Sequence, residues 1–315
     1  MKPAAAFSLK KKQPYLIRLR KNVRVHWELY LLILPAFTYF VIFHYIPMYG
    51  VQIAFRDYLP GIGFLQSPWV GLEHFRRFFN TYASRVVIRN TLSISITALV
   101  LGIPFPVILA LMLNIVRQKR FKSIVQTISY APHFISNVAM AGMILMLFSN
   151  IGIVNNLLRF IGMEPVQFMA RPELFTPIYV LANVWKSTGW GSIIYLAALS
   201  TVDMELFEAA RIDGASRLRM IWHIDIPCIL PTLVILLIMN AGRIMSVDYE
   251  QILLLQNPMN LSASEVISTY TYRMGILGRD FSFSAAIGLF NNLINIILLY
   301  LVNFIAGKLN ETSLW

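Results

Sequence analysis

Charge is what this chain has least of. Of 315 residues only 13% are Asp, Glu, Lys or Arg, against 57% hydrophobic, and the mean hydropathy is +0.63. So little polar surface cannot keep a chain of this size in water. A soluble domain on one anchor, a disordered chain and a collagen-like chain are all excluded. Cysteine is reduced to Cys228, which rules out an intramolecular disulfide and a thiolate metal site. The five histidines show no ligand spacing, so no metal is expected. Gly307-Lys308 has no glycine five residues before it, so the chain lacks a phosphate-binding loop for a nucleotide. Paired His and carboxylates within apolar runs are missing as well, which speaks against an enzyme.

Long uncharged runs are what the chain does have. About 20 apolar residues at 1.5 Å rise match the roughly 30 Å hydrocarbon core of a bilayer. Residues 29–55, 90–116, 123–158 and 281–307 contain no charged side chain, 226–247 is interrupted only by Arg243, and 174–202 only by Lys186. The expectation is an all-α, six-helix membrane bundle. The net charge of +12 is then loop charge that sets orientation, with no call for nucleic acid. Lys2, Lys10, Lys11, Lys12, Arg18, Arg20, Lys21 and Arg24 precede the first run, and Arg117, Lys119, Arg120 and Lys122 follow the second. Basic residues are retained on the cytoplasmic side, so both termini are expected in the cytoplasm, with residues 1–26 a basic arm and 27–315 the membrane domain. The first run is too long for a signal peptide and reads as an uncleaved anchor.

Within the second run, Gly102, Pro104 and Pro106 should bend or break the helix, as a packing kink or as a hinge. The loop 56–89 mixes turn residues with aromatics, including Trp69, and reads as an ordered interfacial belt or a docking surface.

The segment 203–227 is predicted to form two short helices and a turn. Asp203 suits a helix N-cap, Gly214 a left-handed helix end, and Ser216 a second cap. Leu218, Ile221 and Trp222 would share one apolar face. Glu208, Ala209 and Ala210, followed by Gly214 after three residues and then by Ile224, Ile226 and Pro227, resemble the EAA loop of permease subunits of binding-protein-dependent ABC importers. Ile226 departs from the family's usual Leu, a volume-conserving change. Residues 45–55, 129–136, 185–195, 253–258 and 311–315 are similar to the branch of that family serving oligosaccharides and polysaccharides.

The resemblance implies an inner-membrane subunit of a bacterium that pairs with a second, related permease. Two cytoplasmic ATPase subunits that bind Mg-ATP, and an extracytoplasmic solute-binding protein, complete such an importer. It also implies that the Glu208 carboxylate pairs with a basic residue of the ATPase, while Ala209, Ala210, Gly214, Ile224 and Pro227 shape the docking loop. An ion-coupled secondary transporter of a small solute is the competing class, usually built from repeated halves; no internal repeat is evident here.

Intramembrane charges are costly and mark functional candidates. Lys186 and Arg243 therefore either line a substrate path, where a cationic pair would favour an acidic saccharide, or brace neighbouring helices through carbonyls, or, for Arg243, snorkel to the outer headgroups. Gly288, Asn292, Asn295 and Asn303 fall in one narrow sector at 100° per residue, to bind sugar hydroxyls or to glue helices. Trp185 and Trp190 can stack on sugar rings or simply pack. His133, after Pro132, reads as a packed residue.

Overall fold

The computed structural model describes residues 24–63, 65–310 and 314. The expected basic arm falls almost entirely outside the described residues. Among those described, the chain is nearly all helix and has no β-strand beyond one isolated bridge between Arg56 and Trp69. It divides into two units, the first ending at Gln52 and the second beginning at Ile53.

In the first unit, α1 (Trp27–Phe40) runs on through a π turn at Val41–Tyr45. Pro47 accounts for the widened turn, because its ring presses on the preceding turn and it has no N–H to donate. No residue of α1 is buried, although nearly all of them are apolar.

The second unit opens with the loop that the sequence marked as ordered. Arg56 Nη1 donates to the carbonyls of Leu65 at 3.0 Å and Ser67 at 2.8 Å, and Phe55 stacks on Trp69 with centroids 5.6 Å apart. Helix α2 (Glu73–Asn80) then leads into α3 (Tyr82–Gly102), α4 (Pro104–Ile115) and α5 (Lys119–Tyr130). The break between α3 and α4 falls at Ile103, where the sequence puts its kink.

The run 123–158, expected as one span, is not one helix. After α5 and a 3-10 turn at Ala131–Phe134, the chain bends by 99° into α6 (Asn137–Leu147). Ile135 is extended, and Ser136 accepts the Ala139 N–H at 3.2 Å, which starts a new helix in a new direction. Helix α7 (Ile153–Phe160) follows separately.

Helix α8 (Pro172–Ser200) is 29 residues long, and α3, α4 and α5 pack against it. Glycine permits the closest of these approaches. A Cβ on Gly189 would collide with the Ser129 carbonyl of α5, and one on Gly191 would come within 3.1 Å of the Pro106 ring. Where lipid replaces water there is no hydrophobic drive between helices, so such close van der Waals packing carries the association.

Helices α9 (Met204–Ile212), α10 (Arg217–Met220) and α11 (Ile226–Ala241) come next, then α12 (Tyr249–Leu255), α13 (Ile267–Tyr272) and α14 (Phe281–Asn310). One apolar core joins α3, α6 and α8 through Ile94, Met140, Phe175 and Tyr179. A second joins α2, α13 and α14 through Phe78, Tyr270 and Phe283. Arg77 clamps the latter, donating to Asp280 Oδ2 at 2.7 Å with its guanidinium 4.3 Å from the Phe283 ring.

Among the described residues, four stretches are long and apolar enough to cross a membrane: Trp27–Phe55, Tyr82–Ile115, Arg217–Ala241 and Phe281–Lys308. The bent pair around Ile135 is a fifth at most. Helix α8 has the length but carries Asn183, Lys186, Ser187 and Thr188 along its middle, which lowers its hydropathy.

Candidate coupling segment and transport path

The segment 203–227 folds as its capping residues dictate. Asp203 Oδ1 accepts the Glu205 N–H at 3.0 Å to open α9, and Ser216 Oγ accepts the Arg219 N–H at 3.4 Å to open α10. Between them Gly214 takes a φ of +74°. The Ala215 N–H returns to the Ala210 carbonyl at 2.8 Å and the Gly214 N–H to Arg211 at 3.1 Å, the paired bonds that close a left-handed helix end.

Glu208 and Ala209 are exposed and Ala210 half-buried. Among the described residues, Glu208 makes no ion pair. Ile212 is 87% exposed, and Leu218 and Trp222 also face outward while Ile221 turns partly inward. The apolar face expected of α10 is thus presented outward by Leu218 and Trp222.

Pro227 does not begin a separate helix. Residues Arg217–Ala241 are one helical run that passes through a π turn at Ile221–Asp225, where the wider turn relieves the ring of Pro227 as it does at Pro47. Ile224 is half-buried and Pro227 exposed.

A cavity of about 480 Å³ opens between α3, α4, α8 and the chain after α11. Gly102, Ile103 and Pro106 line it, so the proline break helps to shape its wall. Trp190 and Arg243 also line it, together with His133, Asn183 and Asp248. His133 lies flat on Trp190, with centroids 4.6 Å apart and planes 2° from parallel. The imidazole is packed, as the sequence suggests, and it is also part of the cavity wall.

Lys186 does not line this cavity. Its Nζ donates to Asn137 Oδ1 at 2.9 Å, and Asn137 Nδ2 donates to Asp248 Oδ2 and Glu250 Oε2, both at 2.8 Å. One amide at the start of α6 therefore links a cation on α8 to two carboxylates at the start of α12. Asn292 is exposed, and Asn295 accepts the Met245 N–H at 3.0 Å and donates to Ser246 Oγ at 2.9 Å. Neither asparagine lines the cavity, and Asn295 acts as the helix glue that its stripe allowed. Trp185, on α8, is exposed and does not line the cavity.

Asn137, Asn183 and Asp248 were not singled out by the sequence. Asp248 carried a local signal as the helix cap that accepts the Glu250 N–H at 3.1 Å, but its link to Lys186 spans elements distant in the chain.

Residues 102–311 match the family of binding-protein-dependent transport system inner membrane components. The polygalacturonan/rhamnogalacturonan transport system permease protein YteP of Bacillus subtilis (strain 168) is 41% identical over 313 residues, covering 99% of this chain and 96% of YteP. A chain in the crystal structure of a bacterial ABC transporter involved in import of the acidic polysaccharide alginate superposes with a TM-score of 0.86 at 40% identity, covering 93% of this chain and 99% of that one. A chain of the bacterial alginate ABC transporter in complex with alginate pentasaccharide-bound periplasmic protein gives 0.87 at 40% identity, over 94% and 100%. The chain belongs to the family of inner-membrane components of binding-protein-dependent transport systems, as a permease subunit and not an enzyme.

Proposed function

We propose that this chain is one of two permease subunits of an ATP-driven importer for acidic oligosaccharides or polysaccharide fragments. The observation that carries the substrate class is the cavity whose lining includes both Arg243 and the stacked Trp190 and His133. A guanidinium selects carboxylates by charge and by paired donors, and an indole face suits the apolar side of a sugar ring. The similarity to transporters named for polygalacturonan and alginate supports the same reading. In this reading the path residues are Arg243 and Trp190, Lys186 orders the wall through Asn137, and Asn295 holds helices together while Asn292 stays outside the path.

Six membrane crossings, with α8 and the bent α5–α6 pair among them, and both termini in the cytoplasm complete the proposed topology. The segment 203–227 is then the cytoplasmic hairpin that docks on the ATPase. Glu208 supplies its ion-pairing carboxylate, and Ala209, Ala210, Gly214, Ile224 and Pro227 its shape. The partners are a second, related permease, two ATPase subunits that bind Mg-ATP, and a solute-binding protein of the kind present in the alginate complex.

The test is uptake by the complete importer in proteoliposomes. Arg243→Gln should reduce transport of acidic oligosaccharides about tenfold, the scale of one charged hydrogen bond, and spare neutral ones of equal length. Lys186→Gln should lower both together. Equal losses for acidic and neutral sugars in Arg243→Gln would remove the charge argument.

A further inference from the structure

A second cavity, of about 420 Å³, lies behind α9 where α4, α8 and the run beginning at Arg217 all end. Arg117, Arg211 and Arg217 line it, and all three are exposed. Among the described residues, none of the three forms an ion pair or a side-chain hydrogen bond. One acid faces the same space. Asp225 is 3% exposed and its Oδ1 accepts from Asn114 Nδ2 at 3.2 Å. Among the described residues it pairs with no guanidinium, and three positive charges against at most one negative leave the cavity cationic.

The rest of the lining is apolar, with Leu199, Met204, Phe207 and Met220 among it. A cavity with guanidiniums and greasy walls, set where membrane-spanning elements stop, has the chemistry of an amphiphilic anion. We propose that this cavity binds a phosphate group, held by Arg117, Arg211 and Arg217 behind the α9–α10 segment. A phosphate offers several acceptor oxygens to the donor forks of these side chains. It neutralises like charges that otherwise repel one another across the space. The phosphate can arrive on an anionic phospholipid, whose chains would lie along the apolar walls, or as a soluble phosphate. Because α9 forms one wall, occupancy would stiffen the segment's seat on the membrane domain.

The site is separate from the sugar cavity, so its test does not depend on the identity of the sugar. The assembled importer is placed in nanodiscs of zwitterionic lipid, with phosphatidylglycerol as one probe and inorganic phosphate as the other. Retention of phosphatidylglycerol is read by native mass spectrometry after detergent release. Binding of inorganic phosphate is read by radiolabel in lipid-matched samples. Arg117→Gln and Arg217→Gln should each weaken retention of the bound probe about tenfold. Arg159→Gln, on α7 and outside the cavity, should leave it unchanged. Loss confined to phosphatidylglycerol assigns a lipid headgroup, and equal loss of both probes assigns a soluble phosphate. If neither probe is held, or if retention in the two cavity variants equals wild type, the proposal is overturned. Intact assembly of each variant, followed by subunit stoichiometry, separates a lost site from a misfolded chain.

Discussion

Gly214 shows how much a single residue can decide. At φ +74° it lies where a side chain meets its own carbonyl, yet nothing stands within 4 Å of the Cβ it lacks. The cost of substitution is therefore backbone strain of about 1–2 kcal/mol, not collision. Gly214→Val should fray the end of α9 and lower the amount of ATPase that copurifies, while Gly214→Asn, which tolerates the left-handed region, should retain most of it. Glu208→Lys should abolish copurification while leaving the thermal unfolding of the permease unchanged, since Glu208 has no ion-pair partner among the described residues. Normal assembly of that variant would sink the docking role.

Asn137 is the other decisive residue. Asn137→Leu removes the amide that both Lys186 and two carboxylates share. The site is partly solvated, so the loss should be about 1 kcal/mol or somewhat more, seen as an earlier melt of the detergent-solubilised importer.

At the scale of elements, what the sequence reveals depends on how local the cause is. Asp203, Gly214 and Ser216 sit at the helix ends they control, and the break at Ile103 is written in Gly102, Pro104 and Pro106. The 99° bend is not legible in the same way. Residues 123–158 carry no charge to interrupt them, and the turn comes from an extended Ile135 and a serine cap that look unremarkable within an apolar run. The Lys186 contact is hidden for a different reason, since Asn137 and Asp248 meet it only after α6, α8 and α12 have packed. Helix packing itself yields a direct test. Gly189→Val must push α8 away from the α5 backbone, an overpacking penalty of about 1–3 kcal/mol. It should lower the yield of folded permease far more than Gly288→Val, where a Cβ meets open space. Size-exclusion profiles of the two variants provide the comparison.

For the whole molecule, a low charge fraction and the EAA-like spacing were enough to indicate a multi-pass permease. The way charge is divided between the two faces of the membrane makes the topology testable. Cys228 is the only cysteine, so a Cys228→Ala background allows a clean label at Ser216→Cys, an exposed position. A membrane-impermeant maleimide should react with it in inside-out vesicles and not in right-side-out ones. Labelling from the opposite face would reverse the assignment of every loop.

The unbroken run Arg217–Ala241 has a mechanical consequence. Its 25 residues make a rod roughly 37 Å long. Trp222 stands exposed near one end, while Asn240, near the other, lines the same cavity as Arg243 just beyond it. A shove at the foot of such a tappet reaches the cavity wall at Asn240 as displacement of a single shaft, with no relay of side chains in between, and the π turn and Pro231 are the places along it where the helix can give.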